Sequence, residues 1–311
     1  MRLRHFLLLL ALASPLANAM KAVFWQPQLR DNAVSALQWH SLMQSLQQQG
    51  FDTLVLQWTR YGDAFADAQE QTLLHQRADA ARAIGLRVIV GLHGDPEFFQ
   101  RQKQRGTALT HYLTRLRVAD VQQAKNWAMY DGWYLSAEID DLNWRNPATR
   151  EQLLEWLKNT QGQLTAVGNK PVYISSFFAG NMAPEGYLQM LSEIHQLGIK
   201  VWVQDGHGVN TMNSSERQRY LDASTGCAAS TPASGIVYEI FRVNPGKPLA
   251  LSHSHPLILP TVWRRLPAVA KTASTSHYAT CRWRKGFWRI SNPAAIKNKA
   301  RFPGLCRLNN A

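Results

Sequence analysis

Seven short apolar, β-branched or aromatic runs punctuate the chain: Ala22 to Gln26, Thr53 to Trp58, Arg87 to Leu92, Gly132 to Ile139, Pro171 to Ser176, Lys200 to Gln204 and Gly235 to Phe241. They begin on average about 35 residues apart, the period of one strand, one loop and one helix. Between them the apolar positions change to helical spacing. Leu37, Leu42, Met43 and Leu46 mark a first helix within Val34 to Gln49, and further helices are expected over about 69–84, 107–125, 147–167, 184–197 and 215–222. Pro147 and Pro184 suit first-turn positions, where the missing N–H costs nothing. Gly50, Gly85 and Gly198 each stand just before a run, as a helix stop feeding a parallel strand. The pattern predicts an α/β fold, a (β/α)8 TIM-type barrel with seven clear β/α units by residue 241 and a degenerate or missing eighth. A doubly wound open sheet fits less well, because WQPQLRD follows the first run where a glycine-rich phosphate loop would stand.

Ahead of these units, Arg2 and Arg4 precede an apolar run from Phe6 to Ala13 and the small-residue pattern Ala17-Asn18-Ala19. This predicts a signal peptide, Met1 to Ala19, and a mature protein that is periplasmic or secreted. The run is too short to span a bilayer, so no stable membrane insertion is expected. Cys227, Cys281 and Cys306 permit one disulfide and leave one thiol over; no CxxC or Cys/His spacing supports structural zinc.

The formal net charge of +13 is confined to one end. From Arg242 to Ala311 there are 13 Lys and Arg and no Asp or Glu, so residues 20–243 form a nearly neutral barrel domain and 244–311 an atypical basic tail. A localised excess on an exported protein does not point to nucleic acid as a partner. The tail is either a divergent extension or the product of a shifted reading frame. Its best apolar run, Leu257-Ile258-Leu259, lies between Pro256 and Pro260, which cannot donate to a ladder. The tail is therefore expected to pack loosely or lack order, leaving the edge of the seventh strand unpaired.

In such barrels the chemistry gathers at the C-terminal ends of the strands. Glu138 closes an otherwise uncharged run, on the face of Tyr134 and Ser136, and desolvation at a barrel mouth raises a carboxyl pKa, as a general acid needs. Glu239 closes the seventh run. The two predict a two-carboxylate glycoside hydrolase, with Glu138 as acid/base and Glu239 as nucleophile or second carboxylate; their separation would decide between retention and inversion. Gln26, Gln57, Gln204, Asp205, Arg60, His93, Asp140 and Ser175 could fix hydroxyl groups of a carbohydrate, while Trp58, Tyr61 and Phe177 could stack on sugar rings. Trp25, Trp133, Trp144 and Trp202 also stand near strand ends, although alternation sends half of such residues away from the centre. His93 and His207 with Asp95, Asp140, Asp141 and Asp205 offer a metal-dependent hydrolase or deacetylase as a weaker alternative, without HExxH or facial-triad spacing; no metal and no cofactor is expected. A non-catalytic carbohydrate-binding barrel needs the aromatics and glutamines but not both glutamates. No motif bears on oligomeric state.

The phrases FWQPQLRD, WHSLMQSLQQQGFDTLVLQWTRYGD, GLRVIVGLHGDPEFF, DGWYLSAEIDDLNW and YEIFR together resemble the DUF4434 family over about residues 21 to 243. The resemblance implies a (β/α) barrel near the glycoside hydrolases, an extracytoplasmic setting and a carbohydrate-type cleft. It would put Gln26, Gln57, Trp58, Glu138 and Glu239 in that cleft. No closing eighth strand is recognisable after Phe241.

Overall fold

The computed structural model describes residues 20–209, 211–225, 232–239, 241–243, 251–253 and 287–291. The predicted signal peptide, all three cysteines and Leu257-Ile258-Leu259 lie outside the described residues.

Seven parallel strands form a curled sheet: β1 (Lys21–Trp25), β2 (Thr53–Leu56), β4 (Arg87–Gly91), β6 (Gly132–Asp140), β7 (Val172–Phe177), β8 (Lys200–Gln204) and β9 (Ala233–Tyr238). Two-residue strands β3 (Arg60–Tyr61) and β5 (His93–Gly94) pair above the ends of β2 and β4, and β10 (Phe241–Val243) pairs with β11 (Leu251–His253). Neighbours within the sheet follow the order β1-β2-β4-β6-β7-β8-β9. The helices are α1 (Ala36–Gln48), α2 (Ala68–Ala83), the short α3 (Phe98–Arg101), α4 (Gly106–Asn126), α5 (Pro147–Val167), α6 (Pro184–Gln196) and α7 (Ser214–Thr225).

The closing seam differs from expectation. Strand β12 (Phe287–Ser291) runs antiparallel to both β1 and β9 and joins them, so the edge of β9 is paired. An antiparallel strand is not an eighth β/α repeat, because each repeat returns its strand in parallel.

Local sequence explains the repeats. Ser35 caps α1 reciprocally with Gln38: the Gln38 N–H donates to Ser35 Oγ (3.2 Å) and the Ser35 N–H donates to Gln38 Oε1 (3.0 Å). Asn146 caps α5 through the Ala148 N–H, with Pro147 in the first turn. Gly50, Gly85 and Gly198 all adopt φ between 82° and 89°, the left-handed turn that ends a helix and releases the chain into the next strand.

Two packed layers result. Between sheet and helices lies the larger core, holding Trp25, Trp39, Leu54, Val88, Trp133, Ile174, Val201 and Ile236 among others. Inside the barrel lie Ala22, Phe24, Val55, Ile89, Tyr134, Tyr173, Trp202 and Val237. Trp202 stacks on Tyr173 with centroids 4.4 Å apart and lies 5.7 Å from Tyr134 and 5.6 Å from Phe24. This aromatic plug is the floor on which the mouth residues stand.

Gly91, the last residue of β4, is needed because a Cβ there would lie 2.1 Å from the Gln57 carbonyl oxygen and 2.5 Å from that of Leu56. Gly91→Ala is therefore expected to destabilise the protein by about 1–3 kcal/mol, the usual range for overpacking, and to push Gln57 out of place. A urea midpoint equal to wild type would show that β2 yields at no cost.

Candidate functional site

Alternation along the strands defines the site. Phe24, Val55, Tyr134, Tyr173, Trp202 and Val237 face inward, so Gln26, Gln57, Ser175, Gln204 and Glu239, two positions on, share that facing one level nearer the mouth. On β6 the register jumps. Leu135 pairs with Ile174, but Glu138 pairs with Ser175, so Ser136 and Ala137 are extra residues relative to β7. Two inserted residues preserve the facing and set Glu138 back at the level of Ser175. The Ser136 hydroxyl ties the bulge to β2 by donating to the Gln57 carbonyl (2.7 Å).

The carboxyl of Glu138 is met by amides. Gln57 Nε2 stands 3.5 Å from Glu138 Oε1, and the Gln204 side chain hydrogen-bonds the same carboxyl. Desolvation raises the Glu138 pKa, against the opposing effect of Gln204. Glu239 is 3% exposed, and its Oε2 accepts the N–H groups of Gly208 (2.6 Å) and Val209 (3.1 Å). Its carboxyl is pushed up to about 7, by burial first, then by the negative charge of Asp205, with a further contribution from Glu138. The two N–H donors oppose that rise. The Glu138 charge thus acts on Glu239 at the mouth, and the Tyr61 phenol is raised by burial first, then by the charges of Asp95 and Glu138.

The remaining sequence-predicted residues separate into two groups. Tyr61 stacks on Trp58 at 4.3 Å, and Phe177 faces Phe99 at 6.2 Å. Phe99, 46% exposed on α3, is an aromatic at the mouth that the sequence reading omitted. Gln26 is half-buried at its inward-facing position. Asp205 is also half-buried, and its Oδ1 accepts the N–H groups of His207 and Glu239, both at 3.1 Å.

The second group is committed to packing. Trp58 is 7% exposed, with its indole N–H held by the Pro27 carbonyl (3.1 Å). Asp140 is buried, accepting from Leu142 N, Asn143 N and Asn143 Nδ2 within its own loop. Neighbouring Asp141 accepts from Ala179 N, Asn181 N, Asn181 Nδ2 and Met182 N, binding the end of β6 to the loop between β7 and α6. Ser175 is buried against the Tyr134 hydroxyl (2.8 Å), and Arg60 Nε donates to the Gly62 carbonyl (3.0 Å). Trp25 and Trp133 lie in the outer core, Trp144 is buried with its N–H on Gln102 Oε1, and Trp202 belongs to the floor.

His93 is held from behind: its backbone N–H donates to Asp120 Oδ1 (3.0 Å). Desolvation lowers the His93 pKa, favouring the neutral ring. Among the described residues no three or more His, Cys, Asp or Glu side chains come together as a metal-binding group, and no helix is long and apolar enough to cross a membrane.

Asp120, on α4, is an acid in an apolar wall, and burial pushes its carboxyl to about 8. The folded protein then keeps a proton that the unfolded chain releases near pH 4, so stability is complete below that pH and is lost as pH rises toward 8. Asp120→Asn, which keeps an acceptor for His93 N–H, is expected to flatten this loss by up to about 1.4 kcal/mol per pH unit between 5 and 8. Glu239 titrates in the same direction and leaves a residual slope. Urea midpoints across that interval would decide it, and equal slopes in variant and wild type would refute the assignment.

A curled parallel sheet flanked by helices, with polar side chains standing on an aromatic floor at the strand ends, is TIM-like. One solved structure of similar shape is a candidate alpha-L-fucosidase from Bacteroides thetaiotaomicron, 14% identical, with 82% of this chain and 84% of that chain covered at a TM-score of 0.54. Residues 20–272 match the family model DUF4434, a domain of unknown function, and the chain belongs to that family. The uncharacterized protein YbcH of Escherichia coli (strain K12) is 56% identical over 246 residues, covering 78% of this chain and 83% of that protein.

Proposed function

We propose that this chain is an exported glycoside hydrolase-like barrel that acts on a polysaccharide, with Glu138 as general acid/base and Glu239 as nucleophile or second carboxylate. The observation that carries this reading is the placement of two inward-facing carboxyl groups, both of raised pKa, on β6 and after β9, above one aromatic floor. Glu239 accepts two backbone N–H groups and Glu138 accepts from Gln57 and Gln204, so hydrogen-bond donors stabilise the anion at both sites while burial favours the proton at both. One proton shared by the pair supplies an acid and an anion at once. Gln57 and Gln204, bonded to Glu138, would orient it and reach substrate hydroxyls, and Tyr61, Phe99 and Phe177 offer flat faces to sugar rings.

The burial of Glu239 and its grip on Gly208 and Val209 also suit a loop-holding role, and this favours a second reading, a carbohydrate-binding barrel without turnover. A glycan array followed by product analysis separates the two. New reducing ends from a bound glycan support hydrolysis, binding without products supports the second reading, and absence of both defeats the carbohydrate assignment. Processing is tested by the N-terminus of the secreted protein, expected at Met20.

A further inference from the structure

We propose that Asp205 is the positioning residue for Glu239, acting through a reciprocal clasp between the ends of β8 and β9. This rests on the proposed role of Glu239 and adds a residue that sets its geometry. The clasp has two halves. Asp205 Oδ1 accepts the backbone N–H of Glu239 (3.1 Å) and that of His207 (3.1 Å), while the Asp205 N–H donates to the Val237 carbonyl (2.9 Å). In return, Glu239 Oε2 accepts the N–H groups of Gly208 and Val209, in the loop that Asp205 begins. Each strand end thus uses its carboxylate to hold the backbone that carries the other. Releasing the Asp205 carboxylate frees the His207 turn, and with it the two donors that fix Glu239 Oε2.

Glu239 Oε1 has no hydrogen bond among the described residues, so within them the clasp orients the carboxylate by one oxygen. The charges facing the clasp come from three elements: His207 in the loop and Arg217 on α7 act on Asp205, and Glu138 on β6 acts on Glu239. The Asp205 charge itself raises Glu239, which makes geometry and proton affinity separable by substitution. Asp205→Asn retains an acceptor oxygen and loses the charge, whereas Asp205→Ala loses both.

The test uses the full chain with ¹³C-labelled glutamate carboxyls, the Glu239 signal assigned by its loss in Glu239→Gln, together with amide hydrogen exchange. In Asp205→Asn, Gly208 and Val209 are expected to exchange as in wild type while the Glu239 titration midpoint falls by about one pH unit. In Asp205→Ala, both amides are expected to exchange at least about tenfold faster. Wild-type exchange in Asp205→Ala, or a wild-type midpoint in Asp205→Asn, overturns the proposal. If Asp205→Ala does not fold, Asp205→Glu, which displaces the acceptor by one methylene, takes its place, and wild-type exchange of both amides there overturns the proposal. Neither readout needs turnover, so a wild type without glycosidase activity defeats the catalytic reading of Glu239 and leaves the clasp standing.

Discussion

Glu138→Gln is expected to lower the turnover of any glycan the wild type cleaves by about 10²- to 10⁴-fold, the usual contribution of a positioned general acid or base. The substitution preserves shape and still meets Gln57 and Gln204, so glycan binding should stay within a few fold of wild type. It removes the proton that the leaving oxygen needs. The wild-type rate should be bell-shaped in pH, since both carboxyl groups are raised and one must be charged while the other is not. In Glu138→Gln the limb reporting loss of the acid proton should vanish. Unchanged kcat with the glycan found by product analysis would remove Glu138 from the chemistry.

The largest stability effect is expected at Trp202. Its ring is fully buried between Tyr173, Tyr134 and Phe24, and the next inward residue on the strand is Gln204, which reaches Glu138. Trp202→Ala removes the centre of the floor and is expected to cost about 3–5 kcal/mol, whereas Trp202→Phe refills part of the space and should cost less. Denaturant unfolding of both variants measures this. A loss below about 1 kcal/mol for Trp202→Ala would mean that the barrel interior is not packed as described.

The parallel strands were legible because each is buried on both faces, which leaves nearly continuous apolar runs such as Thr53 to Leu56 and Lys200 to Gln204. The helix stops at Gly50, Gly85 and Gly198 were legible from backbone chemistry alone. Antiparallel β12 was not, because Phe287 to Ser291 lies in a basic stretch where no apolar run sets it apart.

At the site, Glu138 stood out as the charge closing an uncharged strand, but the two-residue bulge that sets its height leaves no mark in hydropathy. Asp140 read as a ligand contact because strand-end acids often are. Its oxygens are taken by the next turn, a use of carboxylates that composition does not distinguish. Trp58 reads as a platform, yet it is largely covered and supports Tyr61, and the adjacent Phe98 and Phe99 give no sign in hydropathy that one is buried and the other exposed.

The paired aspartates after β6 bear on the thermodynamics of ligand capture. Asp140 and Asp141 between them draw seven N–H donors from the loops flanking that side of the mouth. Segments fixed so densely before a ligand arrives lose little conformational freedom when it does, so the entropy penalty usual for closing mobile loops should be small here. Calorimetry of a bound glycan should then show only a small unfavourable entropy of ordering in the wild type. Asp141→Asn, by loosening the loop beforehand, should instead make binding more favourable in enthalpy and less favourable in entropy.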